Sequence, residues 1–287
     1  MALGLNKTKR RIRSVTSTAK ITKAMEMVAT VKLKRFKDLY AANALYQDEL
    51  VTMMAEALAH DEEAATHYAK ENEGVEGVLY LVITSNLGLC AGYNNEIFKY
   101  VDSLADMEKD TIVPIGEKGK LHFTHDARYK NVVTDLAELD LSMDPRLIDN
   151  AAFRLKEDFN ARKYRKIVLV YTRYINSLTF KPDSFNLLPT VLPLVPEDYE
   201  SYCPPLFEPK ARQLIHVLMV QYLGGMIYGK LEESQYSEQA SRRTAMENAN
   251  DNADELLQKL TIEYNKARQA AITQEIVEVV GGSNNQR

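Results

Sequence analysis

The first sixty residues carry the pattern of one long α-helix. Neither Gly nor Pro occurs from Thr8 to Leu58. About fifty helical residues would reach roughly 75 Å, which is longer than a compact domain needs. The apolar residues follow one spacing and then continue with a shifted phase, at Leu5, Ile12, Val15 and Ala19 and then at Ile21, Met25, Val28 and Val31. Because this apolar stripe drifts around the helix, it predicts partners on more than one side.

The middle of the chain alternates short apolar runs with helical stretches. The runs are "GVLYLVITS" at 77–85, "TIVPIG" at 111–116 and "KIVLVYTRY" at 166–174. Such runs are typical of strands that are covered on both faces. The alternation predicts an α/β layer with a mainly parallel sheet. The intervening helical stretches lie near 94–108, 117–127 and 146–161.

Two further segments complete the predicted layer. Residues 177–189, "SLTFKPDSFNLLP", favour an edge strand or the arm of a hairpin. The Pro-rich residues 188–209 predict a loop that leads out of the domain.

A second long helix follows the loop. Its pattern runs from about Lys210 to Val280 and is interrupted only by three glycines, Gly224, Gly225 and Gly229. Because the two terminal helices are similar in length, the economical arrangement is an antiparallel pair in which each helix covers the other. One side of such a two-stranded rod stays exposed. The apolar stripe of the second helix consists of Leu256, Leu260, Tyr264, Ala267 and Ala271.

These patterns divide the chain into four predicted regions. They are an N-terminal coiled-coil helix at 1–60, an α/β globular domain at 75–205, a C-terminal coiled-coil helix at 210–282 and a flexible tail at 283–287.

Charge is distributed unevenly along an otherwise ordinary composition. Hydrophobic residues make up 45% and charged residues 26% of the chain, and the net charge is −4. This excludes a disordered chain and argues against a nucleic-acid binder. The first forty residues are strongly basic, with only Glu26 and Asp38 opposing the cations, so an anionic partner is expected there. The cations are Lys7, Lys9, Arg10, Arg11, Arg13, Lys20, Lys23, Lys32, Lys34, Arg35 and Lys37.

Compartment signals are few. Cys90 and Cys203 are the only cysteines, which argues against a disulfide framework or a zinc site and favours a reducing compartment. No uninterrupted run of 18 apolar residues occurs, so no membrane span is expected. The basic N-terminus lacks the apolar segment of a secretory signal. It loosely resembles a mitochondrial transit peptide, but its helical pattern continues past residue 30, as in a mature helix.

No catalytic, cofactor-binding or metal-binding constellation is predicted. Gly88 and Gly92, and likewise Gly116 and Gly119, fit strand-to-helix turns better than phosphate-binding loops. Cys90 lacks a well-placed His in the sequence and is interpreted as a packed thiol. His122 and His125 have helical spacing but no carboxylate or third ligand nearby, so they are interpreted as surface residues.

The basic N-terminal helix permits three interpretations. A DNA-binding basic region would need a dimerising zipper beside it, and none follows. A membrane-surface or calmodulin-binding helix should be shorter and more strongly amphipathic. A solvated rod within an acidic protein cavity is the third, and the composition favours it.

Three motifs carry a resemblance to a known family. "KITKAMEMVATVKLKRF" at 20–36 resembles the N-terminal motif of the gamma subunit of F-type ATP synthase. "ITSNLGLCAGYN" at 83–94 is similar to the strand–turn motif of that family. The segment from 243 to 282, which begins "RTAMENANDNADELLQKL", resembles the family's C-terminal helix over its whole length.

The resemblance implies a fold and a function. It implies a long antiparallel coiled coil of the terminal helices and a Rossmann-like α/β domain. It further implies a rotary shaft, without a catalytic site, inside a ring of alternating alpha and beta subunits. The globular domain would touch the epsilon subunit and the membrane rotor ring, called the c-ring. ATP, ADP and Mg would bind the alpha and beta subunits, and the assembly would lie on the cytoplasmic side of a bacterial inner membrane.

The resemblance also implies contact residues. Arg268 and Gln269 match residues that reach a beta-subunit loop, and Thr273 and Glu275 lie in the same region. Arg242 and Met25 match positions near an acidic segment of the beta subunit, and Lys23 flanks Met25. Phe207 and Glu208 resemble the foot, which is the part of the family's globular domain that meets the rotor ring.

Some positions depart from the family pattern. Ala91 stands where the family usually has a second Gly, and Asn86–Leu87 stand where it more often has Asp–Arg. With only two cysteines, no redox insert of the chloroplast type is visible, so thiol control of rotation is not expected.

Two alternative functions stay open. One is a stand-alone α/β enzyme with a polar pocket near Ser85–Asn94. The other is a paralogue that acts as a scaffold or in a hydrolysis-only ATPase.

Overall fold

A computed structural model describes residues 2–139, 143–176, 179–190, 207–208 and 210–284. Six helices and five strands are assigned within these ranges. The helices are α1 (Ala2–Ala59), α2 (Glu62–Ala69), α3 (Tyr93–Leu104), α4 (Glu117–His125), α5 (Pro145–Asn160) and α6 (Ala211–Asn284). The strands are β1 (Val78–Ile83), β2 (Thr111–Ile115), β3 (Asn131–Val132), β4 (Lys166–Asn176) and β5 (Thr179–Leu188).

Contacts group the chain into two compact units. Unit 1 combines α1 up to Thr30 with α6 from Arg242 onward. Unit 2 comprises Val31–Ser241, which includes the sheet and the remaining parts of both long helices. The predicted boundaries follow secondary structure, whereas the observed contacts join parts of α1 and α6 to the sheet.

Unit 1 is a two-stranded coiled coil. The covered positions of α1 recur in alternating steps of three and four, which is the heptad pattern of a coiled-coil seam. Asn250 of α6 accepts a hydrogen bond from Thr22 (2.5 Å) and donates one to Glu26 (2.6 Å). The covered positions that follow this heptad pattern are Leu5, Thr8, Ile12, Val15, Ala19, Thr22, Glu26 and Ala29 in α1, and Met246, Asn250, Ala253, Leu257, Leu260 and Tyr264 in α6.

The drifting apolar stripe of α1 leaves this seam. Thr22 and Glu26 continue the heptad, while Ile21 and Val28 remain 61% and 56% exposed. The seam is therefore polar at Thr22 and Glu26, while the apolar residues beside them point away from it. Apolar side chains on the outer face of a coiled coil are the feature expected of a helix with a second partner.

Unit 2 is built on a five-stranded sheet of order β3-β2-β1-β4-β5. Strands β1 to β4 pair in parallel, and β5 pairs antiparallel to β4 at the edge. Leu81 in the central strand lies opposite Val113 of β2 and Leu169 of β4. The sheet is thus mainly parallel, as predicted.

Both faces of the sheet are buried because successive side chains point to opposite sides. Leu79, Leu81 and Ile83 pack on the face that is covered by the end of α1, by α5 and by α6. Tyr80 and Val82 pack on the opposite face against α3 and α4. All six residues of β1 are buried, which explains the continuous apolar run in the sequence.

The edge strand β5 carries Pro182 in its interior, opposite Thr172 of β4. Asp183 forms an ion pair with Arg173 of β4, with 3.6 Å between the charged atoms. Register irregularities occur near both ends of the β4–β5 pairing. The predicted edge strand is confirmed.

Several details differ from the sequence-based expectations or extend them. Helix α2 and the two-residue strand β3 were not predicted, because both are too short to show a period. Helix α6 reaches Asn284, so the predicted tail begins as helix, and residues 285–287 lie outside the described residues. Most of the predicted Pro-rich loop also lies outside them, including Cys203.

Among the described helices, α6 is long and apolar enough to cross a membrane by length and composition alone. This differs from the expectation that no segment qualifies. However, 56% of its most apolar window is buried inside the protein, which is typical of a helix in a protein core.

Candidate functional site

The turn after β1 lies where an α/β enzyme would hold its ligand, at the carboxyl ends of parallel strands. Asn94 closes this turn, because its side chain accepts a hydrogen bond from the Ser85 backbone N–H (3.0 Å) and donates to the Ser85 hydroxyl (2.7 Å). Leu89 and Ala91 adopt positive φ angles of 64° and 49°. Ala91, which replaces the family's usual Gly, therefore adopts a conformation that favours glycine.

Helix α6 fills this edge of the sheet with a serine row, Ser234, Ser237 and Ser241. The Ser234 hydroxyl lies 2.9 Å from the Tyr93 hydroxyl and accepts a hydrogen bond from the Thr172 backbone N–H (3.2 Å). Ser237 donates to the Thr172 carbonyl (3.3 Å), and Ser241 donates to the Cys90 carbonyl (2.8 Å). All three serines are buried. The Thr172 backbone and the Cys90 carbonyl at this edge are thus bonded to α6.

The thiol of Cys90 is buried in the same turn. Its sulfur lies 3.8 Å from the Ser85 hydroxyl and 3.5 Å from the Asn94 amide nitrogen. Neither neighbour is a general base that could generate a thiolate. This environment is that of a packed thiol.

The glycines before and within α4 serve close packing. Gly116 has a φ of 100°, and an added Cβ would lie 2.2 Å from the Thr84 carbonyl oxygen. At Gly119 an added Cβ would lie 2.6 Å from the Thr84 hydroxyl, which accepts the Gly119 backbone N–H at 2.9 Å. The side chain of Thr84 thus occupies the N-terminus of the helix, where a phosphate would bind in a phosphate-binding loop.

The two histidines of α4 have separate surroundings. The His122 ring stacks on Phe98 with 3.8 Å between ring centroids, and burial lowers the pKa of His122. His125 lies 2.7 Å from the Leu121 carbonyl through Nδ1. Within the described residues, no group of three or more His, Cys, Asp or Glu side chains could hold a metal ion.

The predicted contact residues of unit 1 lie on both helices. Lys23 is exposed and forms an ion pair with Glu26 (3.0 Å), and Met25 beside it is half-buried. Arg242 is only 6% exposed, and the adjacent Arg243 is half-buried. Near the end of α6 lie four exposed residues, Arg268, Gln269, Thr273 and Glu275.

The predicted foot lies in unit 2, just before α6. Phe207 is half-buried, and its ring meets that of His60 edge-on with 5.1 Å between centroids. Glu208 is exposed. The two foot residues therefore differ, because Phe207 is anchored to the core and Glu208 faces solvent.

Sequence reasoning missed the serine row and the Thr22–Asn250–Glu26 contact. A signal existed for the first, since Ser234, Ser237 and Ser241 share one face of a helix by their i, i+3, i+7 spacing. A signal for the second was the seven-residue spacing of Ala19 and Glu26, which a hydrophobic pattern overlooks because Glu is polar.

The family model described as "ATP synthase" matches residues 4–285. A protein of Mesoplasma florum, named "ATP synthase gamma chain", is 36% identical over 281 residues, which cover 98% of each chain. The protein of the same name from Mycoplasma capricolum is 36% identical and covers 96% of this chain and 97% of its own. "ATP synthase gamma chain, sodium ion specific", from Acetobacterium woodii, is 31% identical over 99% of each chain.

Solved structures share the fold. A chain of the Euglena gracilis mitochondrial ATP synthase, in an OSCP/F1/c-ring structure, is 21% identical, covers 100% of this chain and 95% of its own, and gives a TM-score of 0.70. A chain of the central stalk and c-ring of the Tetrahymena thermophila mitochondrial ATP synthase is 24% identical, covers 80% of this chain and 99% of its own, and gives 0.59. The family model and the relatives at 36% identity span nearly the whole sequence, and the chain therefore belongs to the ATP synthase gamma chain family.

Proposed function

We propose that this chain is the central rotary shaft of an F-type ATP synthase and has no catalytic site of its own. It couples ion flow through a membrane rotor ring to ATP synthesis or hydrolysis on the beta subunits. Its partners are the ring of alternating alpha and beta subunits, the epsilon subunit and the c-ring, and it binds no nucleic acid. The proposal rests on family membership and on the surface of unit 1.

The observation that carries the proposal is the apolar outer face of the coiled coil. Ile21 and Val28 on α1 and Ile262, Ile272 and Ile276 on α6 are all exposed. A two-stranded coil cannot bury them, because each helix already covers its partner along the seam. A collar of protein around the coil would remove this apolar surface from water, at about 25 cal/mol per Å².

The end of α6 suits a helix that turns within a collar. Ala267 and Ala270 are small and exposed, so they give a neighbouring protein a smooth surface to slide over. Long polar side chains between them would form contacts that break and re-form. The angle of the shaft then favours an open state in one beta subunit and a closed state in another, which is a coupling of conformational equilibria.

The contact residues have distinct proposed roles. Arg268 and Gln269 reach a beta-subunit loop, and Thr273 and Glu275 contact the same region. Lys23 and Met25 lie near an acidic beta segment. Phe207 and Glu208 form the foot on the rotor ring.

Arg242 is proposed to face the same acidic segment as Met25. Because Arg242 is buried within the chain, this contact requires its side chain to turn outward or the partner to approach the helix closely. Arg243, which is half-buried, is the more accessible cation beside it.

The nucleotides and Mg are proposed to bind the alpha and beta subunits, not this chain. The assembly lies on the cytoplasmic side of a bacterial inner membrane. The serine row supports a non-catalytic role, because it occupies the sheet edge at which a stand-alone α/β enzyme would bind its substrate.

Purification of the native complex tests the proposal. A tag on the chain should recover alpha and beta subunits in threefold excess. A probe on Lys109→Cys, at an exposed position of unit 2, should then rotate in steps when the immobilised complex hydrolyses ATP. Recovery of a monomer that turns over a metabolite would overturn the proposal.

A further inference from the structure

The part of α6 that packs on α1 within unit 2 carries a buried carboxylate. Glu232 is 1% exposed, and its Oε2 accepts a hydrogen bond from Nδ2 of Asn43 on α1 (3.0 Å). The hydroxyl of Tyr228, one turn earlier on α6, also interacts with the Glu232 carboxylate. Both of these neighbours are neutral groups, an amide and a hydroxyl.

A glycine notch lies one and two turns away on the same helix. An added Cβ at Gly229 would lie 1.6 Å from Nε2 of Gln47, and one at Gly225 would lie 2.8 Å from Cδ1 of Leu50. Gln47 donates a hydrogen bond to the Gly225 carbonyl at 3.3 Å. Glycine within a helix is less favourable than alanine. The close approach of α1 supplies a packing reason for both glycines.

These contacts form only when α1 and α6 lie at one axial position relative to each other, which is their register. Other buried apolar side chains of α1 in unit 2, such as Met54, can pack against several neighbouring apolar residues. The carboxylate of Glu232 is different, since Tyr228 moves with it on α6, while Asn43 is the residue that hydrogen-bonds it from α1 among the described side chains. A displaced α1 would leave Glu232 with one bonding partner fewer in a buried place.

We propose that Asn43, Gln47 and Glu232, with the notch at Gly225 and Gly229, are positioning residues that fix the axial register of α1 on α6 within unit 2. A single buried polar contact is known to select one register of a coiled coil at some cost in stability. The consequence of this register for torque rests on the proposed function, because a shaft transmits torque only if its two helices do not slip.

The register can be measured on the full chain without any partner. Spin labels at Ala42→Cys and Gln213→Cys, both exposed, would be offset by roughly 30 Å along the helices at 1.5 Å per residue. Cys203→Ser removes an unwanted third labelling position, and Cys90 is buried. A slip of one turn changes the axial offset by about 5.4 Å, which pulsed dipolar spectroscopy resolves.

Replacing both partners by Leu should release the register. In Asn43→Leu/Glu232→Leu we expect a displaced population to rise about tenfold or more, since the loss of one buried hydrogen bond to a charged group is worth that factor. Glu232→Gln keeps an acceptor for Asn43 and should retain a single distance. Met54→Leu changes only a buried apolar residue of α1 in unit 2 and serves as the matched control.

A single unchanged distance in the double variant would overturn the proposal. If the double variant does not fold, Asn43→Ala decides, because Asn43 is half-buried and its loss leaves the apolar seam intact. A displaced population in Asn43→Ala supports the register role, and its absence overturns it.

A second measurement separates register from torque. In the assembled complex, the double variant should pump fewer ions for each ATP hydrolysed. A displaced register with unchanged pumping would overturn the torque role alone. A chain that joins no ATPase would overturn the proposed function, while the distance measurement would still decide the register.

Discussion

One helix, α6, serves two different environments in the two units. In unit 2 it is almost continuously buried from Met226 to Ser241, against α1, the sheet edge and the β1–α3 turn. In unit 1 it is covered only along one heptad seam, and from Thr261 to Val277 only Tyr264 and Ala271 are even half-buried. The contrast teaches that the chain itself covers this part of α6 in unit 2, whereas in unit 1 most of the helix surface is left exposed.

The sharpest test of this contrast compares two apolar truncations on α6. Leu231→Ala in unit 2 removes a fully buried side chain and should lower the free energy of unfolding by about 2–5 kcal/mol. Ile262→Ala in unit 1 removes a side chain that is 56% exposed and should cost at most about 0.5 kcal/mol. Denaturant titration of the full chain measures both. Equal losses would contradict the division into a packed and an open region.

The function of the open region should depend on its polar side chains. Arg268→Ala/Gln269→Ala should leave assembly largely intact but lower coupled turnover, because charge-assisted hydrogen bonds are worth about 1.5–3 kcal/mol each. ATP synthesis by membrane vesicles is the measurement. The matched control is Gln258→Ala, another exposed residue of unit 1. Unchanged synthesis in the double variant would argue against both residues as contacts.

The packed region should depend on its serine row. Ser234→Ala leaves the Thr172 N–H and the Tyr93 hydroxyl each without one buried partner. We expect a loss of about 1–3 kcal/mol in the free energy of unfolding. Ser17→Ala, at an exposed position of α1, should change it very little. If the two variants are equally stable, the serine row does not hold α6 on the sheet.

The smallest expected effect concerns the pH dependence of the α1–α6 packing in unit 2. Burial raises the pKa of Glu232 above its usual value of 4.5. A carboxyl group with a raised pKa in the folded state contributes stability below pH 4.5, and this contribution is lost as the pH rises through the folded pKa. Tyr228 does not titrate below pH 8, since burial raises its pKa above 10.0.

Glu232→Gln should therefore gain stability relative to the original chain as the pH rises. The free energies of unfolding of the two proteins at pH 5 and pH 8 provide the measurement. Arg35 on α1 lowers the pKa of Tyr228 and is present in both proteins, so its effect cancels in the comparison. A difference that is constant between the two pH values would contradict a raised pKa at Glu232.

Much of the fold follows from local patterns. The apolar runs at 77–85, 111–116 and 166–174 gave three strands of the parallel sheet, because buried strands leave a continuous signal. Strand β3 has two residues and leaves none. The spacing of Leu5, Ile12 and Ala19 predicted the seam, but its continuation through Thr22 and Glu26 depends on a hydrogen-bonding partner more than two hundred residues away.

The candidate site was less predictable. The serine row meets Thr172 and Cys90 across long stretches of chain, so no local spacing reveals the contact. The burial of Arg242 was likewise not visible in the sequence. The roles of Lys23, Met25, Arg268, Gln269, Thr273 and Glu275 remain predictions, because each depends on a partner surface.

The edge strand β5 affects whether free copies of the chain can aggregate through the border of the sheet. Pro182 lacks an N–H group, and the Arg173–Asp183 ion pair places charge beside it. An edge of this kind is a poor template for recruiting a strand from a neighbouring molecule. Newly made copies can therefore accumulate without growing into stacked fibrils through this border of the sheet.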